Sequence, residues 1–423
     1  MPVGVTEHPK NEKADGMDIG GLNQYIADEI SRSRSSRTEL ETMWENSLRL
    51  YEGVPKQAYR NIPIENAPNL EIPLGAIASD ALYASMMNLI FNIAPAITAA
   101  EVDEEGVYKE HVKALQRFID LMIENDMDLR AAADNAVLDC VKLGTGIYYT
   151  RWAVSKKKTK TETILSSAPE VVAVPLEDFF VPGSIRNDLE KVRWCAMRVW
   201  LTQNELNYRI REYGWADATA TPSLDVGRIR TIRERLGRHS GSNDRGTTEG
   251  ELYEVYDVYV RYDIDRDGID EDLLVTWDYG SRQILDWSFN PYDRRPFSVM
   301  RYQTRSFMFY GMGVVEMLRS FQEGTTELYN HWIVNSMLAN CRFWVGPHGA
   351  VPGGKLRIWP NRYLEMSDPS ALKAIQMGDT YASAPAALST TLSLAERRSG
   401  VNDLTMPRPS AVLGSRTPGI TAL

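Results

Sequence analysis

Cysteine is almost missing from this chain: three residues in 423, Cys140, Cys195 and Cys341, with no CxxC and no Cys/His spacing. That excludes a disulfide scaffold and a thiolate zinc site, and leaves three reduced, buried, small hydrophobes of a cytosolic protein. Positive charge is also short. A net charge of −10 argues against a protein whose main task is gripping DNA, because affinity for duplex comes mostly from Lys and Arg neutralising phosphates. A polyanion that slides past is another matter, since a wall of like charge repels it and keeps it moving. Catalytic signatures are absent as well: no Gly-x-Ser-x-Gly, His-Glu-x-x-His, P-loop or paired-acid motif occurs, so neither an enzyme nor a cofactor is expected. The first residues, with Glu7, His8, Lys10 and Lys13, lack an apolar core, and no secretion signal is expected there. One run, Ala81 to Ala99, has about the length of a membrane span. Asn88, Asn92 and Pro95 interrupt it and no basic flank follows, so the expectation is a buried helix ending near Ile93 and no membrane.

A hydrophobic content of 43% beside 25% charged residues is that of a folded protein, and 423 residues need two or three structural units. After a disordered arm over residues 1–20, Leu22, Ile26, Ile30, Leu40, Met43, Leu48 and Tyr51 recur at helical spacing until Gly53-Val54-Pro55 stops them. Leu74 to Ile93 and Tyr108 to Val141 are helical too, the latter interrupted near Asn125-Asp126. Strands follow at Ile147 to Val154, Glu170 to Val174 and Val192 to Trp200. Thr202 and Glu205 have the spacing of a capping box opening a helix through Tyr213. Residues 227–250 are charged and Gly/Ser-rich, and read as loose.

Two features invite a ligand reading. The run Lys156-Lys157-Lys158-Thr159-Lys160-Thr161 carries no aromatic residue to stack on bases and reads as a solvated hairpin tip. Between strands at Tyr253–Tyr262 and Leu273–Trp277 lies Asp263-Ile264-Asp265-Arg266-Asp267-Gly268, which supplies the first half of a calcium loop through Asp263, Asp265 and Asp267. Position twelve of an EF-hand falls on Leu274, and the flanks are strands. A solvated Asp/Gly turn is therefore the favoured reading, with a calcium turn as its rival.

The segment from Pro291 onward changes character. A helix of almost 30 residues begins after Gly313, with Val314, Met317 or Leu318, Phe321, Leu328, Trp332, Asn335 and Leu338 along one side. Gly324 and Thr325 interrupt that stripe and point to close packing against a neighbour. A Gly/Pro-rich insert follows, and then a second helix from Ser383, with Pro385 in its first turn, to Ser399-Gly400.

Read in order, Tyr310-Gly311-Met312-Gly313-Val314-Val315-Glu316, Gln322, Asn330, Val351-Pro352-Gly353-Gly354, Ile358-Trp359-Pro360, Ser399-Gly400-Val401-Asn402-Asp403 and Gly414-Ser415-Arg416-Thr417 resemble the portal, or head-to-tail connector, proteins of tailed bacteriophages. Trp44 to Gly53, Asn88 to Pro95, Ala136 to Gly146 and Pro175 to Phe180 look like that family's amino-terminal portion. The resemblance implies an α+β subunit assembled as a ring, usually of twelve, at one capsid vertex, a structural virion protein assembled in the host cytoplasm. Double-stranded DNA would pass through the ring during packaging and ejection. It further implies a wing over residues 21–310, stem helices over 311–340 and 379–400, a clip over 341–378 and a channel loop over 401–423. Terminase, neck, adaptor or tail proteins, the major capsid protein and scaffolding protein are the partners it implies. Family members continue into a further helix and often a crown, whereas this chain stops at Leu423.

Within that frame, Arg342, Lys355, Arg357 and Arg362 occur with no acidic residue between the first and last, a basic module suited to carboxylates on a docking partner. Arg408 and Arg416 are the only charged residues after Asp403, and a few weak cationic contacts there would centre DNA without trapping it. The competing class is a non-portal soluble binding or surface protein using the calcium-type hairpin.

Overall fold

The computed structural model describes residues 17–56, 67–91, 98–99, 109–125, 127–158, 163–183, 188–216, 252–292, 294–340, 342–346, 373–376 and 383–400. The predicted arm lies outside these, apart from the residues that open the first helix.

Helices α1 (Ile19–Ser36) and α2 (Thr38–Tyr51) lead the chain. Sequence periodicity runs through both as one helix, but the structure breaks it at Arg37. That guanidinium is buried, donates to the carbonyls of Phe179, Leu176 and Glu177, and lies 4.1 Å from the centroid of the Phe180 ring. A buried cation is stable only when such partners surround it, and reaching them turns the chain. Helices α3 (Leu74–Phe91), α4 (Lys109–Asn125) and α5 (Leu129–Leu143) follow.

Strands β1 (Thr145–Lys158) and β2 (Thr163–Val174) form a long antiparallel hairpin, and β8 (Phe297–Arg301) pairs with the base of β1. A five-stranded sheet, in the order of its strands, joins β3 (Phe179–Phe180), β4 (Trp194–Thr202), β5 (Leu252–Tyr262), β6 (Glu271–Asp278) and β7 (Gln283–Phe289). The alternation read in the sequence sorts its side chains. Cys195, Met197, Val199 and Leu201 of β4 face the smaller sheet with Trp44, Phe179 and Tyr310, while Trp194 and Ala196 face α1 through Leu22, Ile26 and Ile30. Between β4 and β5, α6 (Gln203–Tyr213) starts with the capping box Thr202/Glu205.

The last long elements are α7 (Val314–Asn340), the short hairpin β9 (Arg342–Val345) with β10 (Lys373–Gln376), and α8 (Ala384–Ser399). At 1.5 Å per residue α7 is about 40 Å long. Helices α3, α5, α7 and α8 share a third core around Val137, Val141, Val314, Leu318 and Ala395. Ser383 precedes α8 without a side-chain capping bond, Pro385 sits in its first turn, and Gly400 closes it in the left-handed conformation.

Candidate functional site

The amino-terminal half of α7 is clamped by polar side chains. Gln322, Thr326 and Asn330 recur every four residues, so they line one side of the helix. Against them runs the segment Leu70–Gly75, which enters α3 at Leu74. Leu70 N–H donates to Asn330 Oδ1 at 3.0 Å and Asn330 Nδ2 donates to Leu70 O at 2.9 Å. Ile72 N–H reaches Thr326 Oγ1 at 3.2 Å, and Gly75 N–H reaches Gln322 Oε1 at 2.9 Å. Gln322 Nε2 also donates to Leu50 O at the end of α2. From Leu70 to Ile72 the match is geometric: two extended residues advance about 6.6 Å and four helical residues about 6 Å, so the two N–H groups meet successive turns, and Gly75, three residues further on in the first turn of α3, reaches the next.

This ladder corrects the sequence reading of α7. The buried side carries Val314, Val315, Leu318, Gln322, Thr325, Thr326, Asn330 and Val334. Phe321, Leu328, Trp332 and Leu338, from the apolar stripe, are only half-buried. Gly324 is exposed, with open space where a Cβ would stand.

The start of α7 is fixed by a backbone crossing. The chain leaving α5 at Gly144-Thr145-Gly146 meets Gly311-Met312-Gly313, with Gly311 N–H donating to the buried Thr145 Oγ1 at 2.9 Å. A Cβ on Gly313 would stand 2.3 Å from Lys142 O, and one on Gly146 would stand 2.1 Å from Ala136 O. Only glycine permits this approach.

Beyond these clamps several large apolar side chains stand exposed on the helices of the single chain. Helix α3 is long and apolar enough to cross a membrane by length and composition, with a mean hydropathy of 1.3; only 17% of its residues are fully buried, while Leu82, Met86 and Ile90 pack half-buried against the third core. The expected helix is present through Phe91, the expected end near Ile93 lying outside the described residues, and it is not fully buried, since Ile77 and Leu89 stand exposed. On α4, Leu115, Phe118 and Leu121 are exposed at three-residue intervals. Helix α8 rests on α7 through one side, leaving Leu392 and Leu394 outward.

The candidate site residues fare unevenly. Arg342 opens β9 opposite Gln376. Lys355, Arg357, Arg362, Arg408 and Arg416 lie outside the described residues. Asp263, Asp265 and Asp267 do converge, and the structure adds Glu271, which the comparison with position twelve had passed over; one ligand atom from each lies within 4.8 Å of the others. These carboxylates already serve the turn. Asp263 accepts from the N–H groups of Asp267 and Gly268, Asp265 from Asp267, Asp267 from Ile269, and Glu271 from Ile264.

Buried charge elsewhere is structural. Arg198 pairs with Asp178 and the fully buried Glu254, which also holds Arg34 and the Tyr256 hydroxyl. Burial pushes the Cys140 and Cys195 thiols up to about 12, so both are inert small hydrophobes; Cys341 lies outside the described residues.

The chain thus combines one long clamped helix with large apolar side chains left exposed on neighbouring helices. The chain belongs to a family of phage portal proteins: the family model described as Phage SU10 portal protein matches residues 154–423. No curated protein matches the chain. The family match removes the non-portal binding protein from contention. The amino-terminal resemblances at Trp44–Gly53, Asn88–Pro95 and Ala136–Gly146 lie outside the matched span.

Proposed function

We propose that the chain is one subunit of a portal ring of about twelve copies, set at a single capsid vertex and surrounding the path of double-stranded DNA. In this reading residues 21–310 are the wing, and α7 and α8 are the paired stem helices within 311–340 and 379–400. Residues 341–378 are the clip and 401–423 the channel loop. Arg342, Lys355, Arg357 and Arg362 dock terminase and later the neck, adaptor or tail proteins, while Arg408 and Arg416 touch passing phosphates. The wing meets the major capsid and scaffolding proteins. The role is structural, and the phosphate chemistry of packaging belongs to a motor partner.

The observation that carries this reading is the set of exposed apolar side chains, Ile77 and Leu89 on α3, Leu115, Phe118 and Leu121 on α4, Leu392 and Leu394 on α8, beside a firmly clamped α7, in a chain of the portal family. Such surface calls for cover, and copies of the same chain supply it at fixed geometry. Helix α3 is then covered by a neighbouring subunit and not by lipid: its first turns already pack on α7, where a Cβ on Gly75 would meet Gln322 and Val315 at 3.2 Å. Native mass and class averages of the purified protein test the proposal. The expected result is one annular species with a central channel; a chain that stays monomeric at micromolar concentration overturns it.

A further inference from the structure

Helix α4 has no place in the interior of the single chain. None of its described residues belongs to the three cores, yet the helix is apolar on two sides. Val112, Ile119 and Ile123 lie half-buried along one side, while Leu115, Phe118 and Leu121 stand 51%, 58% and 57% exposed on the other. At 3.6 residues per turn, Ala114, Phe118 and Leu121 fall in one line, and Lys113 and Arg117 follow its edge one turn apart. A helix apolar on both sides belongs in an interior. Both cations are exposed, and neither has a side-chain partner among the described residues.

The same chain carries a groove with the converse surface. It holds about 690 Å³ among α2, α5 and β2. Ala131, Ala132 and Asn135 line its α5 side, small side chains where α4 offers large ones, and the buried Leu48 and Val174 make its floor apolar. Two of its charged residues are already engaged: Glu170 pairs with Arg151, and the Lys142 ammonium lies 3.5 Å from the centroid of the Tyr51 ring. Glu52 and Asp128 are exposed at its rim, and their carboxylates have no partner among the described residues.

We propose that the exposed side of α4 on one subunit packs into this groove of the adjacent subunit, with Phe118 and Leu121 over Ala131 and Ala132, and Lys113 and Arg117 beside Glu52 and Asp128. Two independent properties select a second copy as the occupant. Large apolar side chains meet small ones as a helix seated in a groove requires, and unpaired cations meet unpaired carboxylates. Helix and groove are different parts of one chain, so the contact is head-to-tail, the kind that closes into a ring. The inference rests on the ring reading above and deepens it by naming two surfaces that meet.

The test is a charge-reversal cycle and a cross-link. Lys113→Glu with Arg117→Glu forms one variant, Glu52→Lys with Asp128→Lys another, and all four substitutions together a third. Each pair alone is expected to raise the protein concentration at which rings dissociate by roughly tenfold or more, and the fourfold variant to return it toward the wild-type value. All four positions are exposed, so the subunits are expected to melt at nearly the wild-type temperature. Phe118→Cys combined with Ala131→Cys, both exposed, is expected to give a ladder of disulfide-linked oligomers on oxidation, with neither single variant doing so. A fourfold variant no better than either pair overturns the inference and leaves the ring reading standing. So does a disulfide confined to one chain, which would mean that α4 closes over its own groove, or a linked dimer from Phe118→Cys alone, which would mean that α4 meets α4. A wild-type chain that forms no ring removes both.

Discussion

Asn330 closes both backbone groups of Leu70 with one carboxamide, donating at 2.9 Å and accepting at 3.0 Å. The pair joins residues 260 positions apart and fixes the far end of the crossing segment to the middle of α7. Asn330 is fully buried, so water cannot replace it. Asn330→Ala leaves Leu70 N–H and C=O without their partner and is expected to cost about 2–3 kcal/mol in urea unfolding. Asn330→Asp keeps the acceptor but loses the donor and places a carboxylate oxygen against the Leu70 carbonyl. It is expected to be as damaging at neutral pH and partly rescued at acidic pH, where the protonated acid donates again.

Helix and hairpin positions were legible in the sequence because their periods are local: Leu22, Ile26 and Ile30 repeat as a helix does, and β4, β5 and β6 alternate as strands do. The clamp was not. Gln322, Thr326 and Asn330 have the composition of a solvated face, and only the backbone of residues 70–75 makes them an interior. Arg37 likewise looks like a surface cation in a helix, and its three carbonyl partners come from residues about 140 positions away. Glu271 escapes a helix-flanked calcium template, which places its last carboxylate at the twelfth position, whereas this β-hairpin brings its descending strand back at the ninth. The apolar composition of α3 shows that the helix needs cover, but composition does not name the molecule that covers it.

The glycine crossing makes an opposed pair of predictions. Gly146→Ala places a Cβ 2.1 Å from a backbone oxygen that has no room to move, so the variant is expected to lose about 3 kcal/mol or more, or to fail to accumulate folded. Gly324→Ala, in open space within a helix, is expected to stabilise the isolated subunit by about 0.5–1 kcal/mol. Thermal melts of the two variants check both. If Gly324 faces a close neighbour in the ring, the same alanine weakens assembly while it strengthens the subunit.

The buried thiols predict a pH dependence with a definite sign. Burial raises Cys140 and Cys195 from an ordinary 9.0 to about 12. Between those values the unfolded chain releases protons that the folded chain retains, so stability falls as pH rises through that window. At pH 8 neither thiol is expected to react with a thiol reagent until denaturant is added. Mass mapping of the labelled cysteines decides this, and rapid labelling of Cys140 in the folded protein would contradict it.

The Asp263 turn predicts a small response to calcium. Calcium needs six to eight oxygens, while Asp263 uses both of its own on Asp267 and Gly268 N–H groups, and three other carboxylates are partly occupied. The melting temperature in millimolar calcium is expected to match that in chelator. A rise of several degrees, reversed by chelator and absent in Asp265→Ala, would instead make the turn a cation site. Asp263→Ala removes two turn hydrogen bonds and is expected to cost about 1–2 kcal/mol whichever result is obtained.

Arg408 and Arg416 offer the sharpest separation of assembly from DNA handling, because no other charge follows Asp403. An otherwise acidic chain gives DNA little to hold, so under the proposed portal reading two cations per subunit, repeated around the ring, would set the weak attraction that keeps the duplex centred. Replacing both with Glu reverses that local charge while leaving every residue of the α7 clamp and the glycine crossing unchanged. Rings are expected to form in normal yield and with normal mass, while packaging slows or packaged DNA leaks, with the defect shrinking as added salt screens the new repulsion. Loss of rings would place these arginines in subunit contacts, and unchanged packaging would remove them from the channel.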